Sequence, residues 1–211
     1  MIGVVEQINS VRRVVGRRVL EAGEAHTVTI SQTYDSPVED VWDACTNPER
    51  IPRWFLPVSG NLSVGGRFQL QGNAGGTIER CDPPRSFAAT WEFGGSVSWI
   101  EVRLAAQSEG ATLLELEHIA HVKDDLWDQF GPGAVGIGWD LGIRGLAKHL
   151  SSGLPLNPDQ EAVWAGSADG RKFISLSSRR WCDANTAAGA DITKAEAAAD
   201  RARAFYTGTG G

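Results

Sequence analysis

Tyr34-Asp35-Ser36-Pro37-Val38-Glu39-Asp40-Val41-Trp42, running on through Asn47-Pro48-Glu49-Arg50 to Trp54-Phe55, is the stretch whose reading decides the fold. It spells out the start of a helix. Ser36 is predicted as the N-cap, Pro37 as the first helical residue, and Glu39 stands three after the cap to complete a capping box. Val38, Val41, Trp42 and Cys45 then recur at helical spacing and give one apolar face. The run His26 to Tyr34 leads in as a strand, and Pro48 breaks the helix before a short second one that ends on Trp54-Phe55.

From Asn61 to Val122, short strand signals alternate with Gly-rich turns, as in an antiparallel meander. The clearest hairpin joins Ser86–Phe93 to Ser96–Leu104 through Gly94-Gly95. A two-residue turn sets Phe93 opposite Ser96, Trp91 opposite Ser98, Ala89 opposite Ile100 and Phe87 opposite Val102. Directly opposed residues share a face, so Phe87, Ala89, Trp91, Ile100, Val102 and Leu104 are predicted inward. Thr90, Glu92, Trp99, Glu101 and Arg103 are predicted outward. In the strand Thr112 to Ala120, outward Glu115 and Glu117 put Leu114, Leu116 and His118 inward.

A long helix is predicted after Gly131-Pro132, ending near Leu150. Val135, Trp139, Gly142, Leu146 and Leu150 form its sheet-facing stripe, and Asp140, Arg144 and Lys148 a charged line at i,i+4 spacing. Ile137 and Leu141 belong to neither set and imply a second apolar surface. The tail reads as three further helices, Gln160–Ser167, Arg171 to about Ala187, and Ile192–Tyr206 capped by Asp191 and ended by Gly208. At the other end, Val4 to Val19 carries both a helical stripe flanked by Arg12, Arg13, Arg17 and Arg18 and an alternative strand over Val14 to Leu20.

Pro37-x-Glu39-x-Val41-Trp42, Pro48-Glu49-Arg50, Gly65-Gly66-Arg67-Phe68 and the Trp139 helix together resemble the START-like (SRPBCC) superfamily. Within it, they are most similar to the group named for the activator of a heat-shock chaperone's ATPase. The resemblance runs from about His26 to Leu150. It implies an α+β helix-grip fold, a curved antiparallel sheet around a long C-terminal helix, here with an extra helical C-terminal tail. The division implied is 1–25 as an N-terminal edge element, 26–153 as the helix-grip domain and 154–211 as a helical extension packed on it.

Composition sets the outer bounds. With 42% hydrophobic residues in 211, a core forms without metals or disulfides. Three widely spaced cysteines, Cys45, Cys81 and Cys182, read as reduced thiols and point to a cytoplasmic protein. No long apolar region opens the chain, and no window approaches a membrane span. A basic N-terminal helix on anionic lipid would gain only ~1 kcal/mol per Arg, which the acidic body opposes, so a solvated or packed edge element is preferred. A net charge of −6 argues against a nucleic-acid partner.

Within the expected cavity, His118 is the polar candidate, either a ligand hydrogen-bond partner or general base, or a neutral core histidine satisfied by backbone. His121 with Asp124-Asp125 matches no zinc spacing, so no metal and no cofactor are expected. Gly72-Asn73-Ala74-Gly75-Gly76 lacks a following helix and a Lys-Ser/Thr pair and reads as a hairpin turn. The clustered glycines Gly133, Gly136, Gly138, Gly142 and Gly145 mean either close approach of a neighbour or room for a ligand. Eight Trp suggest a large core or an aromatic-lined pocket. Its candidate lining is Trp54, Phe55, Phe68, Leu70, Phe87, Trp91, Ile100, Leu116, His118 and Trp139, part of which is plain core.

The reading favoured is a binder of a hydrophobic or aromatic small molecule between sheet and C-terminal helix, as carrier, sensor or stress-linked protein. No catalytic residue is assigned. A cyclase- or hydrolase-type enzyme using His118 is the first alternative, and it needs a second ionisable group in the cavity. The other is a co-chaperone-like interaction module, although eukaryotic activators carry an N-terminal domain that 25 residues are too few to supply. Monomer and homodimer both remain open, the latter through the tail.

Overall fold

A computed structural model describes residues 3–107 and 110–209. Its elements in chain order are α1 (Val4–Asn9), β1 (Arg12–Leu20), β2 (Gly23–Tyr34), α2 (Val38–Thr46), a 3-10 turn (Ile51–Arg53), β3 (Val58–Gly60), β4 (Arg67–Leu70), β5 (Gly75–Asp82), β6 (Ser86–Phe93), β7 (Ser96–Ala106), β8 (Thr112–Ala120), α3 (Asp124–Phe130), α4 (Gly133–Ser152), α5 (Pro158–Gly166), α6 (Ala168–Ala187) and α7 (Ile192–Thr207). The strands form a curved antiparallel sheet in the order β1-β2-β8-β7-β6-β5-β4-β3, and the class is α+β as expected. Two compact units emerge. One holds α1, β1, β2 through Ile30, His121–Arg144 and the tail helices; the other holds Ser31–Ala120 and Gly145–Leu156.

In the second unit, the predicted hairpin register is present pair for pair, from Phe93 opposite Ser96 to Phe87 opposite Val102. Gly94 and Gly95 have φ of 58° and 81°, the pair of positive values that a two-residue hairpin turn with the twist of its strands requires. The β7–β8 register then sets Ile100 opposite His118 and Val102 opposite Leu116. Ala89, Ile100, Val102, Leu104, Leu114, Leu116 and His118 are all buried on this inner face. The outer face carries charge: Arg103 pairs with Glu101, Glu115 and Glu117, and Arg67 with Glu92.

The helix start differs from expectation by one residue. α2 begins at Val38 with Pro37 as the N-cap, whose carbonyl takes the N–H groups of Asp40 and Val41. Ser36 makes no side-chain cap, so the capping box is not formed. Ser36 is instead buried, with its carbonyl accepting the Thr112 hydroxyl at 2.7 Å on β8. Glu39 and Asp40 still serve the helix as first-turn anions at its positive end.

In the first unit the N-terminal ambiguity resolves into both elements, a short helix and then the strand β1. The four arginines therefore form no basic helix. Arg17 pairs with Glu24, and Arg13 turns inward. Asp140, the first member of the charged line with Arg144 and Lys148, is drawn into the interior. It is 1% exposed, and its carboxylate accepts Arg13 Nη2 at 2.6 Å, Arg13 Nε at 3.0 Å, Ser177 Oγ at 2.6 Å and Trp181 Nε1 at 2.9 Å. Arg13 gives its remaining Nη1 to the carbonyls of Ile8 and Val11. A buried pair on these terms is satisfied on both sides, which is the condition for tolerating two desolvated charges.

Tail helices form because each start is capped. Asn157 accepts from Asp159 and Gln160, Ser167 from Gly170, and Asp191 from Lys194, while Gly208 closes α7 in the left-handed region. The glycines of α4 admit these helices. A Cβ on Gly136 would overlap the Trp181 indole, and one on Gly138 would crowd the Tyr206 hydroxyl, which donates to Ala134 O at 3.0 Å. Ile137 is fully buried and Leu141 half-buried. Arg144 lies 3.3 Å from the centroid of Trp164 and pairs with Glu161 at 2.6 Å.

Two outcomes are expected. Asp140→Asn leaves Arg13 without its counter-charge and lowers stability by about 3 to 5 kcal/mol in urea titration, whereas replacing the pair together by Arg13→Met and Asp140→Leu costs far less than the sum of the single changes. Gly136→Ala, which in an open helix would gain about 1 kcal/mol, here loses about 1 to 3 kcal/mol through overlap with Trp181.

Candidate functional site

The inner face of the sheet carries the clearest constellation. Trp91 on β6 lies with its ring centroid 6.4 Å from that of His118 on β8, edge to face, and 6.5 Å from that of Phe68 on β4. Phe87 meets Trp42 of α2 edge-on at 6.2 Å, so α2 lies over this same face. Trp42, Phe87 and Trp91 are each only half-buried, whereas Phe68, Leu70, Ile100, Leu116 and His118 are buried. The strands thus bring together Phe68, Trp91, Ile100, Leu116 and His118, with Phe87 against α2.

Other candidates lie elsewhere. Trp54 and Phe55 stack at 5.4 Å beside the 3-10 turn, and Trp54 Nε1 donates to Ala44 O at 2.8 Å at the end of α2. Gly145 packs on the Trp54 carbonyl, leaving no room there for a Cβ, so close approach explains this glycine. Trp139 is half-buried in the other unit.

Ser98, unremarked in the sequence, is the polar partner of His118. Its hydroxyl lies 2.9 Å from His118 Nε2 and donates to Trp91 O at 3.0 Å. A hydroxyl has one proton, and a carbonyl can only accept. The proton count therefore assigns the N–H to His118 Nε2, which donates to Ser98. Burial lowers the His118 pKa to about 4, because the imidazolium has lost its water. The signal for Ser98 was present in the register, which puts it opposite Trp91, but a serine near a turn reads as a turn residue.

A second polar cluster closes the unit's far end. His149, 1% exposed, has Nδ1 at 3.0 Å from Leu154 O and Nε2 at 3.3 Å from Arg50 Nη2. The carbonyl accepts and the guanidinium donates, so the ring proton sits on Nδ1. Arg50 also binds Asp40 at 2.7 Å and Asp43 at 3.0 Å, and the Asn47 and Arg50 side chains hold the Asp43 carboxyl below its usual range. These contacts fix the turn after α2 to the end of α4. Cys45 is chemically quiet, its thiol pushed up to about 12 by burial. Among the described residues no group of three or more His, Cys, Asp or Glu converges to hold a metal, and His121 Nδ1 is bonded to Glu24 O at 3.0 Å.

The His118 shift carries a pH dependence whose sign is fixed. Above pH 6.5 both folded and unfolded histidine are neutral and the full stability is present. Between pH 6.5 and about 4 the unfolded chain takes up the proton first, so stability falls as pH falls. His118→Gln, which keeps a donor for Ser98, removes this component. Its unfolding free energy is expected to drop by about 2 to 3 kcal/mol less than that of the parent between pH 7 and pH 4.5 in urea titrations.

No curated protein sequence matches the chain. CalU16 from Micromonospora echinospora is similar at 36% identity in its crystal structure, over 82% of this chain and 97% of that one, with a TM-score of 0.63. Its solution structure gives 37% identity over 85% and 97%, with a TM-score of 0.69. Protein MLL2253 from Mesorhizobium loti, at 21% identity over 59% of this chain and 96% of that one with a TM-score of 0.53, shares the fold. The model for Activator of Hsp90 ATPase homolog 1-like protein matches residues 35–151, more than half of the sequence, and the chain belongs to that family, within the START-like helix-grip superfamily.

Proposed function

We propose that this protein binds a hydrophobic or aromatic small molecule against the inner face of its sheet, as a carrier or sensor. The family commonly takes hydrophobic ligands. The observation that carries the reading is that Trp91 and Phe87 are left half-buried on a face otherwise made of buried apolar side chains, with the polar pair Ser98–His118 set among them. An apolar surface with few convergent polar groups is the usual composition of a ligand site. Phe68, Leu70, Ile100 and Leu116 form its floor. Trp54 and Phe55, which belong to the same unit, stay in the proposal as candidate lining residues from outside this group of strands.

The expected affinity is modest. At ~0.3 kcal/mol per heavy atom, a ligand of about 20 atoms gains ~6 kcal/mol, a Kd of tens of micromolar. Titrating a neutral two- or three-ring aromatic should shift the Trp91 indole resonance in a proton–nitrogen spectrum and quench Trp fluorescence. Phe87→Ala should weaken binding several-fold. A saturating titration that leaves the Trp91, Ser98 and His118 signals unmoved would overturn the reading.

A further inference from the structure

We infer that the ligand class is neutral aromatic molecules bearing a hydrogen-bond donor, such as a phenol, with Ser98 Oγ as the acceptor that receives it. The inference rests on the inner face being a ligand site and goes further by specifying its chemistry. Ser98 spends its one proton on Trp91 O and one lone pair on His118 Nε2–H. Among the described residues these are its partners, which leaves the second lone pair of a half-buried oxygen facing the same side as Trp91. The anchor therefore offers an acceptor and no proton.

Charge gives the second, independent constraint. The strand arginines Arg67, Arg80 and Arg103 lie on the outer face and are paired there with Glu92, Glu101, Glu115 and Glu117. Inward positions of β4 and β6–β8 carry no Lys or Arg among the described residues. The one titratable ring among those inward positions, His118, is held neutral by burial. A carboxylate placed here would lose its water and meet neither a cation nor a donor hydroxyl. Fatty acids and aryl carboxylates are thus disfavoured although their apolar parts would fit the aromatic surface.

Three probes of one shape separate these ideas: 2-naphthol, 2-methoxynaphthalene and 2-naphthoate, titrated at pH 7 against the full chain with calorimetry and Trp fluorescence. The expected order has naphthol binding about fivefold tighter than the methoxy compound, the weight of one net hydrogen bond, and at least tenfold tighter than naphthoate. Ser98→Ala should abolish the preference, bringing the ratio of naphthol to methoxy affinity from about five to about one. Ser98→Thr, which keeps the hydroxyl, should preserve the preference and guards against a folding defect in the alanine variant. Nitrogen shifts of the His118 ring should report the proton on Nε2. Equal binding of naphthol and its methyl ether by the parent, or naphthoate binding as tightly as naphthol, would overturn the donor assignment and leave the ligand site standing. A ring proton on Nδ1 would also overturn it. If none of the three binds, the ligand site falls and the inference with it.

Discussion

A carboxylate taken out of water must find its full set of donors or the fold around it fails, and Asp140 is where one unit of this protein meets that demand. Its two oxygens gather a strand, through Arg13, and a tail helix, through Ser177 and Trp181, onto one turn of α4. Arg13 in turn satisfies the carbonyls of Ile8 in the last turn of α1 and of Val11 just before β1. Each element brings a donor that would otherwise be buried without a partner, so the arrangement has one register and punishes others. Such a cluster adds little net stability over an apolar equivalent. Its effect is selection among packings, because every slipped alternative strands a charge.

The other unit solves a different problem, that of keeping a sheet soluble on one side and apolar on the other. Period-two alternation does most of it: the outward positions of β6, β7 and β8 hold an Arg–Glu lattice centred on Arg103, and the inward ones hold aliphatic and aromatic side chains. Surface pairs of this kind contribute little to stability individually. Their consequence is for recognition. Pairing Arg67, Arg80 and Arg103 with glutamates on the outer face leaves the inward positions of β4 and β6–β8 without Lys or Arg among the described residues, and in the proposed ligand site that would disfavour anions.

Periodic signals were legible in the residues, and single contacts were not. The Gly94-Gly95 turn fixed the register of β6 and β7, and with it the inward set from Phe87 to Leu104, because a two-residue turn admits one pairing. The burial of His118 followed from the same alternation in β8. The burial of Asp140 was not legible because i,i+4 spacing with Arg144 and Lys148 defines only a charged line, and the partner that draws it inward, Arg13, lies 127 residues away. Ser36 failed as a cap for a similar reason. The helix begins one residue later, at Val38 with Pro37 as its cap, while the Ser36 backbone carbonyl accepts the hydroxyl of Thr112, 76 residues away on β8. The glycines of α4 could be recognised as unusual, but what approaches them, Trp181, Tyr206 and the Trp54 carbonyl, is set by tertiary packing alone.

The Ser98–His118 pair is the feature that most invites a catalytic reading, and its geometry argues for recognition instead. A nucleophilic hydroxyl must direct its proton at the base that will take it. Here that proton is directed at Trp91 O, and the imidazole points its own N–H at the oxygen. Turning the hydroxyl toward His118 would strip Trp91 O of this donor and require the ring to move its proton to the other nitrogen. The base would remain weak even then, since burial, which places its pKa near 4, opposes the imidazolium that proton transfer must create. No carboxylate at an inward position of β6–β8 offsets that cost among the described residues. What burial does favour is a neutral dipole with fixed direction, and in the proposed ligand site such an acceptor beside an aromatic surface would distinguish ligands by where they carry a proton.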